Sequence, residues 1–136
     1  INGAVTWKNC NTNDHVQITQ LRISPDPVKV PGNITITGSF TSTRDIDGPI
    51  ELTNDVKLEV FLLGCAFGET YRYPDACAQF CPVQRFCVCP LKQGKNDING
   101  VLVFDKSVPS GKYCMKATFK ENGRQFGCAD VKLNIA

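Results

Sequence analysis

"KYCMKATFKENGRQFGCADVKLNI", residues 112–135, holds two alternating runs on either side of one turn signal. Tyr113, Met115, Ala117 and Phe119 alternate with Cys114, Lys116, Thr118 and Lys120, the period of two expected of a strand with one dry face. Ala129, Val131, Leu133 and Ile135 repeat the pattern. Between the runs stands Asn122-Gly123, a dipeptide that accepts the positive φ angles of a two-residue hairpin turn. The stretch therefore reads as a β-hairpin, 112–121 against 124–135.

The same period recurs upstream. "DVKLEVFLL" (55–63) sets Val56, Leu58, Val60 and Leu62 on one face, with Lys57 and Glu59 opposite. "NITITGSF" (33–40) gathers Ile34, Ile36 and Phe40 against threonines, and "GVLVFDKSV" (100–108) is a short apolar run. "HVQITQLRI" (15–23) alternates through Val16, Ile18, Leu21 and Ile23, with a phase slip at Thr19-Gln20 that predicts a bulge. Pro25, Pro27 and Pro31 each remove a backbone donor and should separate this strand from the next. Asp47-Gly48-Pro49 and Pro109-Ser110-Gly111 mark further turns. No window shows sustained helical periodicity. The reading is one all-β domain over residues 1–136, an immunoglobulin-like sandwich of antiparallel sheets. Residues 64–90 are the exception. They show no clean alternation and concentrate Phe67, Tyr71, Tyr73, Phe80 and Phe86, so a long irregular segment is expected there.

That segment also carries five of the chain's eight cysteines, four of them in "ACAQFCPVQRFCVCP" (76–90). A structural zinc site prefers two ligand pairs with two to four residues between members. Cys77 and Cys81 fit that spacing, Cys87 and Cys89 fit it poorly, and the single histidine, His15, is distant in sequence. No pair has the two-residue spacing of a redox dithiol. Disulfides in an oxidising compartment are the better reading. Cys87 and Cys89 point to opposite faces of an extended chain, so each needs its own partner.

Charge and motifs exclude other classes. Fifteen basic side chains against 13 acidic form no block or stripe, so no nucleic-acid partner is expected. No stretch reaches the roughly 20 apolar residues that span a bilayer. The chain starts at Ile1 without methionine or apolar leader, as expected of a mature form after signal-peptide removal. Asn33-Ile34-Thr35 is a glycosylation sequon, in keeping with a secretory route. His15 has no nucleophile or orienting acid in a recognisable motif, and Asp26, Asp45 and Asp47 sit beside turn residues. Neither an enzyme nor a cofactor or metal site is expected.

Five stretches together resemble the ML-domain lipid-recognition family, especially its ganglioside activator branch: "WKNC" (7–10), "SPDPVKVPGNIT" (24–35), "CVCPLKQG" (87–94), "SGKY" (110–113) and "GRQFGC" (123–128). The family also includes the Niemann-Pick cholesterol carrier. The resemblance implies a β-cup whose two sheets splay around a lipid cavity. It implies a secreted or lysosomal protein that takes up lipid (glycolipid, phospholipid, sterol or fatty acid) and presents it to a membrane, enzyme or receptor. It implies disulfides Cys10–Cys128, Cys65–Cys77 and Cys81–Cys89, which leave Cys87 with Cys114, and glycan at Asn33. This chain departs from the activator branch in its shorter cysteine-rich segment and in having Cys114.

If the sandwich is a cup, the alternation draws its wall from Ile18, Leu21, Ile23, Ile36, Phe40, Leu58, Val60, Leu62, Met115, Phe119, Val131 and Leu133. Its mouth would be Phe67, Tyr71, Phe80 and Phe86, with transient membrane contact there; Lys92 and Lys95 nearby read as solvated side chains, with contact to anionic headgroups the alternative. Burying hydrocarbon stabilises by about 0.8 kcal/mol per CH₂, so an acyl chain needs no polar contact in such a cup. The alternative is an extracellular interaction module whose immunoglobulin-like core is filled.

Overall fold

The computed structural model describes residues 5–80 and 89–136. Eight strands and one short helix follow in order: β1 (Thr6–Asn9), β2 (Val16–Ser24), β3 (Gly32–Ser42), β4 (Glu51–Val60), β5 (Gly64–Tyr73), α1 (Ala76–Phe80), β6 (Gly94–Phe104), β7 (Gly111–Glu121) and β8 (Arg124–Ile135). A five-stranded sheet runs β1-β8-β7-β4-β5 and a three-stranded sheet runs β2-β3-β6. Every strand pairing is antiparallel. The all-β sandwich expected from the alternation is the fold.

Local chemistry sets the elements. Glu121 pairs with Arg124 across a two-residue loop in which Asn122 (φ 51°) and Gly123 (φ 77°) are both left-handed, so the hairpin turn forms where Asn-Gly stands. β2 carries its bulge between Ile18 and Gln20. The bulge keeps Ile18, Leu21 and Ile23 on one side, opposite Phe40, Gly38 and Ile36. The proline-rich connection ends β2 at Ser24 and begins β3 at Gly32. Its Val28 is stitched to β8 instead, donating to Asn134 at 2.9 Å and accepting from Ala136 at 2.8 Å.

Residues 64–73 are not irregular. They form β5, and the alternation was hidden by a second bulge: Leu58 faces Phe67 but Glu59 faces Cys65, leaving Ala66 as the extra residue. One extra residue flips the face, so Cys65 looks outward while Phe67 looks in. Gly68 is what lets the strands close beside this bulge, because a Cβ there would lie 1.7 Å from the Val56 carbonyl oxygen.

The flip decides the disulfides. Cys65 reaches Cys114 on the outer face of β7 (Cα–Cα 6.1 Å), and Cys77 of α1 pairs with Cys89 (5.8 Å). Cys10 pairs with Cys128 across β1 and β8, at 5.2 Å, as the family resemblance implies. The expected Cys65–Cys77, Cys81–Cys89 and Cys87–Cys114 bonds are thus corrected, since Cys65, Cys77, Cys89 and Cys114 have other partners. Cys81 and Cys87 themselves lie outside the described residues.

Two apolar clusters form the core. One joins Ile23, Val28, Ile34, Leu133 and Ile135; the other joins Phe40, Ile46, Ile50, Leu91 and Phe126. Each such side chain contributes roughly 1.5–3 kcal/mol when fully buried, so the two clusters supply much of the folding free energy. They sit at opposite ends of β3 and β8 and plug the two ends of the sandwich. Along one long edge the sheets are tied together, because the Asn9 side chain of β1 exchanges hydrogen bonds with the Ile18 backbone of β2, at 2.9 and 2.8 Å. β2 also approaches β8 there.

Candidate functional site

The opposite long edge, where β4 and β5 face β3 and β6, is the candidate site. Neither plug takes a residue from β4 or β5. Yet β4 points Leu52, Val56, Leu58 and Val60 to the inner side, the first three aligned in register with Phe119, Met115 and Tyr113 of β7. All four are only half-buried. β5 adds Phe67, opposite Leu58, with Tyr71 and Tyr73 beyond it. On the other sheet, β6 turns Leu102 inward opposite Ile34, while Ile98, opposite Gly38, packs against the second plug. Neither core cluster covers this apolar face, and neither β4 nor β5 approaches the three-stranded sheet as closely as β1 and β8 approach β2.

The predicted wall residues distribute over two environments. Ile23, Phe40 and Leu133 are buried within the plugs. Ile36, Met115 and Val131 pack against the first plug, and Ile18 and Phe119 against the second. Phe119 meets Phe126 at 6.2 Å between ring centroids. Leu21 is half-buried opposite Gly38, and Leu58 and Val60 line the uncovered flank. Leu62 is a correction: β4 stops at Val60, and Leu62 sits in the β4–β5 turn, 88% exposed with φ 72°. The alternation simply ran past the end of the strand. Leu52, Val56 and Leu102 were missed as wall. Val56 shared the phase of Leu58, but the run around Leu102 is too uniformly apolar to reveal a face.

At the mouth, Phe67 (63% exposed) and Tyr71 (44%) lie on the inner side of β5, an edge strand. Phe86 and the side chain of Phe80 lie outside the described residues. The exposed apolar feature that the sequence reading overlooked is the hairpin tip itself. Phe61 is 90% and Leu63 66% exposed, on either side of Leu62. Three consecutive large apolar side chains in water form a patch that ordinary packing does not explain.

The outer faces are of opposite character. Lys8, Asp130, Lys116 and Asp55 follow one another across β1, β8, β7 and β4, a row of alternating charge, and Asp55 accepts a hydrogen bond from Thr70 of β5. A shallow hollow of about 300 Å³ here, around Cys65–Cys114, is bordered by lysines and aspartates together with Met115 and Val131. Another, of about 380 Å³, lies beside the β2 bulge among Gln20, Arg22, Thr37, Asp97 and Asn99. Charged side chains border both. Glu59 stands near Cys65 and Cys114, but those sulfurs are bonded to each other and do not form a metal-ligand set. His15 is exposed and hydrogen-bonded to Thr43. Lys92 lies 3.7 Å from Asp47 on the surface. Glu121 accepts from Arg44 at 2.8 Å and from the Gly48 amide at 3.1 Å, and these two donors hold its carboxyl below the usual range while pinning the 44–48 connection.

Comparison with known proteins agrees with this architecture. The ML-domain family model matches residues 4–135. The chain is 24% identical to the ganglioside GM2 activator of Mus musculus over 161 residues, covering 98% of this chain and 82% of that protein. It is 27% identical to the phosphatidylglycerol/phosphatidylinositol transfer protein of Aspergillus oryzae over 135 residues, covering 98% and 72%. Among solved structures, a Niemann-Pick type C2 protein from the Japanese carpenter ant shares the fold, with TM-score 0.67, 13% identity, and 96% and 99% coverage. A family model that spans all but the ends of the chain places the assignment beyond the fold alone: this protein belongs to the ML-domain family.

Proposed function

We propose that this protein is a lipid carrier that lifts a lipid's hydrocarbon from a membrane into the gap between its sheets and hands it on. The observation that carries the reading is the uncovered apolar flank of β4 and β5, which both core plugs leave out. A filled interaction module would bury those side chains. The relatives support the same reading, since two are named for a ganglioside and for phospholipids. The Phe61-Leu62-Leu63 tip is the membrane-touching element, with Phe67 and Tyr71 forming the passage from it into the gap. Uptake proceeds by exchanging one apolar surrounding for another, so it needs no reacting group and the protein acts as a carrier rather than an enzyme.

The disulfides support delivery in an oxidising lumen or outside the cell, to a membrane, receptor or lysosomal enzyme. Asn33 is exposed at the start of β3 and is the expected glycan site; protein secreted from eukaryotic cells should lose mass on Asn33→Gln. The decisive experiment is solvent extraction of protein purified from such cells, followed by mass spectrometry, alongside vesicle-to-vesicle transfer of fluorescent lipid. Bound lipid and protein-dependent transfer are expected. A lipid-free protein that transfers none overturns the reading.

A further inference from the structure

Two acids stand on the inward faces of the paired strands. Glu121, at the hairpin end of β7, is paired with Arg44 at 2.8 Å. The other is Glu69 of β5, opposite Val56, at the open edge of the gap. Among the described residues it has no lysine or arginine within ion-pair distance, and no basic side chain shares the inward faces of β3, β4, β5 or β6. Its neighbours on that face of the strand are Phe67 and Tyr71, and the amide of Asn54 lies opposite Tyr71. The Tyr71 hydroxyl donates to Glu69 Oε2 at 3.1 Å, which holds the carboxylate at the hydroxyl end of that ring.

Same-face neighbours on a strand are about 7 Å apart, so a cation resting on the carboxylate is within side-chain reach of Phe67 and Tyr71. A carboxylate flanked along its strand by two aromatic residues is an arrangement that attracts an ammonium ion, through its opposite charge and the rings' quadrupoles. Hydrocarbon leads away from it along Val56 and Leu58. We infer that Glu69, with Phe67 and Tyr71, selects lipids whose head group carries an amino or quaternary ammonium group. The inference rests on the lipid-carrier reading and adds the head-group class to it. An anionic head meets the unpaired carboxylate and is disfavoured.

The test uses soluble lipids, so that vesicle surface charge plays no part. The folded protein is loaded with a pyrene-labelled alkane, which has no head group, and the probe is displaced by dihexanoyl phosphatidylcholine or dihexanoyl phosphatidylglycerol. The choline lipid should displace it at roughly one-fifth the concentration of the glycerol lipid, from one exposed ion pair and cation–π contacts together. Glu69→Gln should bring the two within about twofold by weakening the choline lipid, and Tyr71→Phe should keep part of the preference because the ring remains. Equal displacement by the two lipids in the wild-type protein, or an unchanged ratio in Glu69→Gln, overturns the inference while leaving the carrier standing. Failure of the wild-type protein to bind the alkane or any lipid overturns both.

Discussion

Leu62 offers a perturbation whose two effects have opposite signs. It is 88% exposed at the β4–β5 tip and holds φ 72°, a conformation that costs an ordinary L-residue roughly 1–2 kcal/mol and asparagine less. Leu62→Asn removes no core contact. It should therefore stabilise the fold by about 0.5–1 kcal/mol. With an unfolding entropy of about 2.1 cal/mol/K per residue over 136 residues, that raises Tm by about 2–3 °C. The same change removes an apolar side chain from the tip proposed to touch the membrane. A leucine wholly transferred from water contributes about 1.5–3 kcal/mol; a tip reaching only the headgroup–acyl boundary realises about half, or roughly 1 kcal/mol. Binding to phosphatidylcholine vesicles should fall about fivefold, and with Phe61→Ser and Leu63→Ser added it should fall by about two orders of magnitude. Calorimetric unfolding and vesicle co-flotation read the two effects separately. A more stable protein that floats less would show that the chain tolerates backbone strain to keep leucine in water. Flotation equal to wild type in the triple variant would refute the membrane role of the tip, and a lowered Tm in Leu62→Asn would refute the strain argument.

Three further outcomes follow from the fold. Gly68→Ala drives a Cβ against the Val56 carbonyl at the β5 bulge and should destabilise by 2 kcal/mol or about that, seen as a lowered urea midpoint. Replacing Cys65 and Cys114 together by serine opens a loop of 49 residues and should cost about 2–4 kcal/mol, measured by chemical unfolding under oxidising conditions. The Glu121 carboxyl is held below its ordinary value of 4.5 by Arg44 and Gly48, so below pH 4.5 the unfolded chain binds the proton more readily. The stability it contributes is complete above that pH and is lost as pH falls through the lowered folded value; Arg44→Ala should flatten this part of the stability–pH curve without altering its shape near neutrality.

How far the residues foretold the structure depended on whether period two survived locally. On β7 and β8 the alternation is unbroken up to the hairpin end, and a turn of fixed chemistry joins them, so register and inward faces could be read directly. On β2 the phase slip was visible because Ile18 and Leu21 both had to be dry. At β5 the same device was invisible. Ala66 is neither large nor charged, so nothing marked it as the extra residue, and the flip it causes misdirected Cys65. The family pattern gave Cys10–Cys128 but misled for Cys65 and Cys89, whose partners depend on a bulge and a short helix rather than on cysteine order. Glu69 was passed over for a related reason. With β5 unread, no inward face existed on which its charge could be recognised as out of place.

The positions of the staples follow from the gap they border. A carrier must stay folded when empty, yet the half-buried flank of β4 and β5 gives up the burial, about 25 cal/mol per Å², that would otherwise hold it. The plugs cannot compensate, since they lie on the other strands. What supports the flank is therefore on its outer side: the Cys65–Cys114 bond spanning from β5 to β7, the Thr70–Asp55 hydrogen bond, and the row of alternating charges that continues from Asp55 across the sheet. Cross-strand pairs of this kind contribute roughly 0.2–1 kcal/mol each and leave the inner face untouched. The lysines and aspartates of the outer face and the hydrocarbon of the inner one thus divide the work along every strand of the flank, polar side chains keeping the sheet in place so that apolar ones can remain unoccupied.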